Sequence, residues 1–149
     1  MTSRRKTREL ALCCCYEIEV GKHEVESVLD RVIEENALSA PARAFLSQAV
    51  TLVSRFKREI DKIIQRFAVG WKLHRIARVD LCILRLAIAE ILLGFEDPPP
   101  SDAIIVNEAV VLAKKFSTKD SGKFVNGILA SVVKEKETLS QAFKPPFPS

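Results

Sequence analysis

The sequence predicts an all-α protein made of two packed helical subdomains with about seven helices in total. Apolar residues recur at three- and four-residue steps along almost the whole chain, and no segment shows the alternation typical of a strand. Glycines or prolines follow several of these stripes, at Gly21, Gly70, Gly94 and Pro98–Pro100, where helices typically end. The 149 residues, with 48% hydrophobic and 28% charged side chains, are enough to bury a core.

Three apolar stripes with short links predict a small helical bundle in the N-terminal half. The first helix covers residues 4–20, and the second carries apolar residues from Val25 to Ile33. After the break at Asn36–Pro41, the third stripe runs through Phe56 and continues, with a bend, to Gly70.

The C-terminal half contains the most apolar segment. Residues 76–92 carry apolar side chains on more than one face, which predicts a central helix. Beyond the proline run, Ser101 or Asp102 is placed to cap a helix that reaches Phe116, and a last helix carries the stripe 124–132. We predict one domain over residues 1–137, with subdomains at about 4–69 and 71–137, and a flexible tail over 138–149.

The charges are unevenly distributed around a net charge of +4. Residues 17–35 carry seven acids against two bases, whereas residues 43–75 carry eight bases against two acids. Faces of opposite sign predict binding both to an anion and to a basic protein. Four of the first eight residues are also basic, namely Arg4, Arg5, Lys6 and Arg8. Because cations oppose the dipole at a helix start, this basic start suggests phosphate binding, with a solvated, disordered start as the alternative.

No catalytic or cofactor motif is recognisable. The chain lacks a Gly-rich nucleotide loop, HExxH and GxSxG, so we predict a non-enzyme without a cofactor. The four cysteines (Cys13, Cys14, Cys15 and Cys82) lack metal-ligand spacing, which favours reduced thiols over a metal site. No apolar run reaches the roughly 18 residues of a membrane span, and no signal peptide is visible, so we expect a cytoplasmic protein without a membrane partner.

The segment Lys123–Gly127 places a cation, an aromatic ring, an amide and a glycine at a helix start. A cation beside free backbone N–H groups suits a phosphate, and a ring suits a base. The spacing of Phe124 from Ile128 favours a core position more strongly, and Asp120 fits a capping acid after Ser117. We interpret Asn126 and Gly127 as helix-packing residues.

Two further polar residues lie on apolar helices. Asn107 is interpreted as a buried amide with a structural role. Asp80 is predicted either to pair with a neighbour such as Arg78, Arg85 or His74 or to face a basic partner.

Four stretches carry a resemblance to a known family: Arg5–Ala11 followed by Tyr16, then Val79–Glu90, Ile105–Phe116 and Lys123–Leu129. In order and spacing they resemble the NusB family of bacterial transcription antitermination factors, over about residues 4–133. The resemblance implies a NusB-like fold of two helical subdomains. It also implies binding of boxA, a single-stranded RNA element of ribosomal RNA leaders, jointly with NusE, a small-subunit ribosomal protein. The pair would then join elongating RNA polymerase, and both a monomer and a homodimer are open.

By this resemblance the RNA-binding residues are Arg4, Arg5, Lys6, Arg8, Tyr16, Asp120, Lys123 and Phe124, and Asp80 corresponds to an acidic position that meets NusE. The run Cys13–Cys15 departs from the Leu-Gln common in the family. Two alternatives are a NusB-like domain of a ribosomal RNA cytosine methyltransferase, which requires a longer gene, and a protein-interaction bundle without RNA binding.

Overall fold

A computed structural model describes residues 3–143 and confirms the all-α prediction. Within these residues the α-helices are α1 Arg4–Gly21, α2 Val25–Glu35, α3 Ala40–Arg55, α4 Lys57–Phe67, α5 Arg78–Leu93, α6 Asp102–Phe116, α7 Lys119–Lys134 and α8 Lys136–Ser140. Two short 3₁₀ helices span Leu73–Arg75 and Gln141–Phe143.

Hydroxyl side chains start three of these helices. The Ser3 hydroxyl accepts the Lys6 N–H at 3.1 Å, so the basic start forms the first turn of α1 instead of a disordered arm. Ser101 caps α6 as predicted. Thr118, and not Ser117, caps α7 by accepting the Ser121 N–H at 3.0 Å. Each cap satisfies a backbone donor that the helix itself leaves unpaired.

Helix α5 is the centre of the core. Its residues Leu81, Ile83, Leu84 and Ile88 are at most 1% exposed, and α1, α3, α4, α6 and α7 all pack against it. Burial of each such side chain stabilises the fold by about 1.5–3 kcal/mol. The apolar character of α5 on all sides therefore reflects a helix surrounded by others, as the sequence predicts.

Two buried arginines connect helices from both halves of the chain. Arg85 on α5 binds Asp61 on α4 at 2.8 Å and Glu19 on α1 at 3.1 Å. Arg8 on α1 binds Glu90 on α5 at 2.9 Å. The two predicted subdomains are thus joined by direct packing and by ion pairs, and their boundary near residue 70 stays a prediction.

The end of the chain differs from the predicted flexible tail. Residues 136–143 form α8 and a 3₁₀ turn, in which Leu139 is 6% exposed and the Phe143 ring meets Phe56 edge-on at 5.4 Å. The segment is ordered because these apolar side chains pack against the core. The rest of the predicted tail, residues 144–149 with all three of its prolines, lies outside the described residues.

None of the helices within residues 3–143 is both long and apolar enough to cross a membrane.

Candidate nucleic-acid interface

An open groove lies beside the first turns of α5 and α7 and contains two aromatic rings. The Trp71 side chain is 53% exposed, and its ring meets the half-buried Phe124 at 6.3 Å, edge to face. We call this the aromatic groove; it is lined by Trp71, Arg75, Ile76, Ala77, Asp80, Thr118, Asp120, Ser121 and Phe124. Exposed rings beside a guanidinium are suited to stacking of a nucleobase near its phosphate.

Local backbone geometry positions the two rings. Gly70 adopts φ +83°, a left-handed conformation that glycine tolerates, and the Trp71 N–H then bonds the Ala68 carbonyl at 3.0 Å. This tight turn directs Trp71 out of the core. The Thr118 cap starts α7 so that Asp120 lies in its first turn and Phe124 one turn later. Phe124 also packs against the core, so its predicted core role and its groove position coexist.

The Asp80 carboxylate forms the floor of the aromatic groove. It is only 6% exposed, and its Oδ2 accepts a hydrogen bond from the Ser121 hydroxyl at 2.8 Å. Its Oδ1 has no partner among the described residues. Among the described residues, none of the predicted partners Arg78, Arg85 and His74 forms an ion pair with Asp80, and Arg85 binds Asp61 instead. The floor therefore carries an unpaired acceptor, which ordinarily costs about 1–3 kcal/mol when buried.

A second groove, next to the first, is apolar. We call it the apolar groove; it is lined by Leu12, Cys13, Tyr16, Glu17, Val20, Gly21, Val79 and Phe116. Tyr16 and Phe116 are each 40% exposed, and Val20 is 54% exposed. Adjacent exposed apolar side chains of this size are typical of a surface that binds a protein. Val79 in this groove directly precedes Asp80 in the other, so the first turn of α5 separates the two.

The basic start forms contacts of several kinds. Arg4 binds Glu96 at 2.7 Å and stacks over the Phe45 ring at 4.3 Å. Arg5 binds Glu108 at 3.0 Å, and the Lys6 ammonium lies 4.0 Å from the Glu9 carboxylate.

Arg8 differs from these three residues because its guanidinium is buried. It donates two hydrogen bonds of 2.9 Å to Glu90. Burial lowers its pKa, but the Glu90 carboxylate outweighs that effect and raises the pKa above its usual value. In this structure Arg8 does not present its charge to a ligand.

The structure separates the basic start from Phe124. Arg8 meets α5 at Glu90, whereas the aromatic groove meets α5 at Asp80, ten residues earlier. Ten helical residues span about 15 Å. Lys115, in the last turn of α6, binds Glu9 on α1 at 2.9 Å.

Comparison with known protein families shows the family of this chain. The sequence model of the NusB family matches residues 5–134. The chain belongs to the NusB family.

Members of the NusB family resemble the chain over almost its whole length. The transcription antitermination protein NusB of Acetivibrio thermocellus is 42% identical over 89% of this chain and 90% of that protein. The protein of the same name from Ruminiclostridium cellulolyticum is 39% identical, over 88% of each. The family resemblance read from the sequence is thereby confirmed.

Solved structures agree with this assignment. The T. maritima NusB structure superposes with a TM-score of 0.82 at 30% identity, covering 90% of this chain and 92% of that one. A structure of antitermination factors NusB and NusE in complex with dsRNA gives a TM-score of 0.78 at 26% identity, covering 88% and 96%. The predicted NusB-like fold is confirmed.

The residues predicted from the family resemblance fall into three places. Asp120 and Phe124 share the aromatic groove with Asp80, and Lys123 is exposed on the same turn of α7. Tyr16 lies in the apolar groove, and the remaining residues, Arg4, Arg5, Lys6 and Arg8, form the basic first turn of α1.

Three interpretations of polar and small residues are wrong. Asn107, Asn126 and Gly127 are exposed, and a Cβ on Gly127 would meet no atom within 4 Å. The close approach of α6 and α7 occurs at Gly122, where a Cβ would lie 3.1 Å from the Lys114 Cγ. Helical periodicity shows which residues share one face of a helix, but it does not show which face a second helix packs against.

Sequence reasoning missed Trp71, Arg75 and Phe116. The exposure of Trp71 could have been predicted from the sequence, because this only tryptophan of the chain directly follows Gly70, and a turn at a glycine can direct the next side chain out of the core. The apolar spacing places Phe116 only at the end of a predicted helix and does not show that its ring is exposed. Its exposure follows from its place in the last turn of α6, beyond the packed part of that helix.

Three of the four cysteines are buried thiols. Cys14, Cys15 and Cys82 are buried, and Cys13 is exposed. Burial raises the pKa of Cys14 to about 12 and that of Cys82 to about 11, so both thiols are protonated at neutral pH. Among the described residues, no three histidine, cysteine or acidic side chains are placed to hold a metal ion.

Proposed function

We propose that this NusB-family chain is an RNA-binding transcription antitermination factor. It binds boxA RNA of ribosomal RNA leaders jointly with NusE, and the assembly acts on elongating RNA polymerase. The observation that carries the proposal is the exposed Trp71–Phe124 pair beside Arg75, in a chain whose relatives are antitermination proteins.

The aromatic groove binds the bases of the RNA. An unpaired base stacks on Trp71 or Phe124, and such stacking is worth about 1–3 kcal/mol per base. Arg75 and Lys123 provide cations for the adjoining phosphates. The Asp120 carboxylate accepts hydrogen bonds only, which favours a base amino group over a phosphate at that edge.

The basic first turn of α1 takes phosphates farther along the same strand. Arg4, Arg5 and Lys6 are exposed enough to exchange their carboxylate partners for phosphate oxygens. Arg8 acts differently: its buried pair with Glu90 holds this turn against α5. We therefore assign Arg8 a positioning role.

The apolar groove binds NusE. Tyr16, Val20 and Phe116 offer exposed apolar area of the kind that protein interfaces cover, and a solved structural relative is a NusB–NusE complex with RNA. Asp80 directly follows Val79 of this groove, but its carboxylate is buried in the floor of the aromatic groove, so we assign it a positioning role through Ser121 instead of a direct contact with NusE. In this arrangement Tyr16 contacts the protein partner.

The test is a titration of fluorescently labelled boxA RNA with the full chain, with and without NusE. We expect NusE to tighten binding, salt to weaken it, and Phe124→Ala to weaken it further. The proposal fails if NusE leaves the affinity unchanged and boxA competes no better than a scrambled strand. Sedimentation of the free chain distinguishes the monomer from the homodimer.

A further inference from the structure

A second cationic surface lies on α4, away from the basic first turn of α1. Two neighbouring depressions share Lys57, Asp61 and Gln65 in their lining; one lies along the exposed face of α4, and the other lies between α4 and the start of α5. We call the two together the basic groove; its exposed cationic lining is Arg55, Lys57, Arg58, Lys62, Lys72 and Arg78. It contains much of the positive charge that the sequence concentrates in residues 43–75.

The acidic residues in this groove are already neutralised. Arg85, whose side chain is 4% exposed, binds Asp61 through two hydrogen bonds of 2.8 and 2.9 Å and also contacts Glu19 at 3.1 Å. Lys57 binds Glu19 at 2.9 Å. Two carboxylates are thus matched by two cations.

The outer cations of the groove are left without such partners. Within residues 3–143, no carboxylate lies within 4.0 Å of the charged groups of Arg58, Lys62, Lys72 or Arg78. The exposed lining therefore carries uncompensated positive charge, which favours a polyanion.

The basic groove adjoins the aromatic groove. The segment 71–78 separates them: Trp71 and Arg75 line the aromatic groove, whereas Lys72 and Arg78 line the basic one. A strand that stacks on Trp71 meets cations on both sides of this segment. Aromatic rings followed by a cationic track are the features by which proteins bind single-stranded nucleic acid, whereas an acidic protein has no need of the exposed ring.

We infer that the basic groove binds the phosphate backbone of RNA that flanks the element held in the aromatic groove. This inference rests on the proposed function for the position of the strand. It predicts that the chain recognises a longer RNA than the boxA element, through contacts that depend on charge and not on sequence.

The experiment compares two RNAs by fluorescence anisotropy over a series of salt concentrations. One is the minimal boxA strand, and the other is the same strand extended by uridines at both ends. The full chain should bind the extended RNA several-fold more tightly, with a steeper salt dependence. Each cation that contacts the strand contributes about 0.7 to the slope of log K against log salt.

The variants Arg58→Gln and Lys62→Gln test the groove, and Arg43→Gln is the matched control. Arg43 is an exposed arginine near the start of α3, at the opposite end of that helix from Arg55. We expect each groove variant to lower the slope for the extended RNA by about 0.7 and to reduce its affinity advantage. Affinity for the minimal RNA should not change, and Arg43→Gln should preserve the advantage. Circular dichroism and thermal melting check that the variants fold.

The inference is overturned if the unmodified chain binds the extended RNA no more tightly than the minimal RNA. It is also overturned if the groove variants keep the full affinity advantage of the extended RNA. A third contrary result is that the groove variants weaken binding of polyglutamate but not of RNA. Failure of the proposed function looks different. If boxA binds no better than a scrambled strand, yet Arg58→Gln still lowers the salt slope of the extended scrambled RNA, the basic groove is supported without the boxA assignment.

Discussion

The Arg8 guanidinium and the Glu90 carboxylate form a two-hydrogen-bond ion pair in which both distances are 2.9 Å. The two side chains are 9% and 8% exposed, and they are 82 residues apart in the chain. The pair fixes the start of α1 against the central helix α5. A residue predicted from the sequence to contact RNA is thus engaged in holding the basic first turn of α1 in place.

Removing one partner of this pair should destabilise the fold. Arg8→Ala leaves the Glu90 carboxylate buried without a cation, and we expect a loss of about 3–5 kcal/mol in the free energy of unfolding, measured by urea denaturation. Replacing both residues with methionine should restore much of the stability, because no charge is then left buried. A stable Arg8→Ala variant with weakened RNA binding would instead show that Arg8 contacts the RNA directly.

Trp71 should contribute to RNA affinity with little effect on stability, because half of its side chain is exposed. Loss of one stacked base in Trp71→Ala should weaken boxA binding by roughly 5- to 150-fold, equivalent to about 1–3 kcal/mol. Trp71→Phe keeps an aromatic surface and should retain most of the affinity. An alanine variant that binds as well as the parent would exclude stacking at this ring.

Phe116 should contribute to NusE affinity. Phe116→Ser removes an exposed ring from the apolar groove, and isothermal titration with NusE should show weaker binding. The matched control is Ile104→Ser, an exposed apolar residue at the other end of the same helix. Equal losses in both variants would contradict a specific role for the groove.

Gly127→Ala should stabilise the protein. Gly127 lies inside α7, and a Cβ there would meet no other atom within 4 Å. Alanine is favoured over glycine within a helix by about 1 kcal/mol, so thermal unfolding should shift upward. Gly122→Ala is the informative comparison: it should gain less, because its Cβ must displace the Lys114 side chain. A destabilised Gly127→Ala variant would contradict the open space seen here.

The buried thiols should make stability fall at alkaline pH. Burial raises the pKa of Cys14 to about 12 and of Cys82 to about 11, from the ordinary value of 9.0. Above pH 9 the unfolded chain loses these protons while the folded chain retains them, so the free energy of unfolding decreases as pH rises. Each thiol contributes up to about 1.4 kcal/mol per pH unit in that window, and nothing below it.

Urea denaturation at pH 8, 9, 10 and 11 measures this decline, and the double variant Cys14→Ala/Cys82→Ala should show a shallower one. Native-state thiol titration at pH 8 gives a second readout, in which Cys13 alone should react rapidly because it is exposed. Rapid reaction of all four thiols in the folded protein would contradict the burial of the other three.

The sequence by itself determined the helices α1–α7, the central place of α5 and the family. These properties are local or follow from a short pattern: three- and four-residue apolar spacing shows where a helix runs, and hydroxyl residues such as Ser101 mark where it begins. The family motifs are likewise contiguous, so their recognition required no knowledge of which helices meet.

Only the tertiary structure decided what each polar or aromatic side chain touches. Arg8 pairs with Glu90 and Asp80 with Ser121 across 82 and 41 residues of sequence, and no periodicity encodes such pairings. Trp71 and Phe124 face each other because a turn at Gly70 brings the end of one helix beside the start of another. Partners of this kind depend on how helices cross, which is decided by packing of the whole core rather than by any one segment.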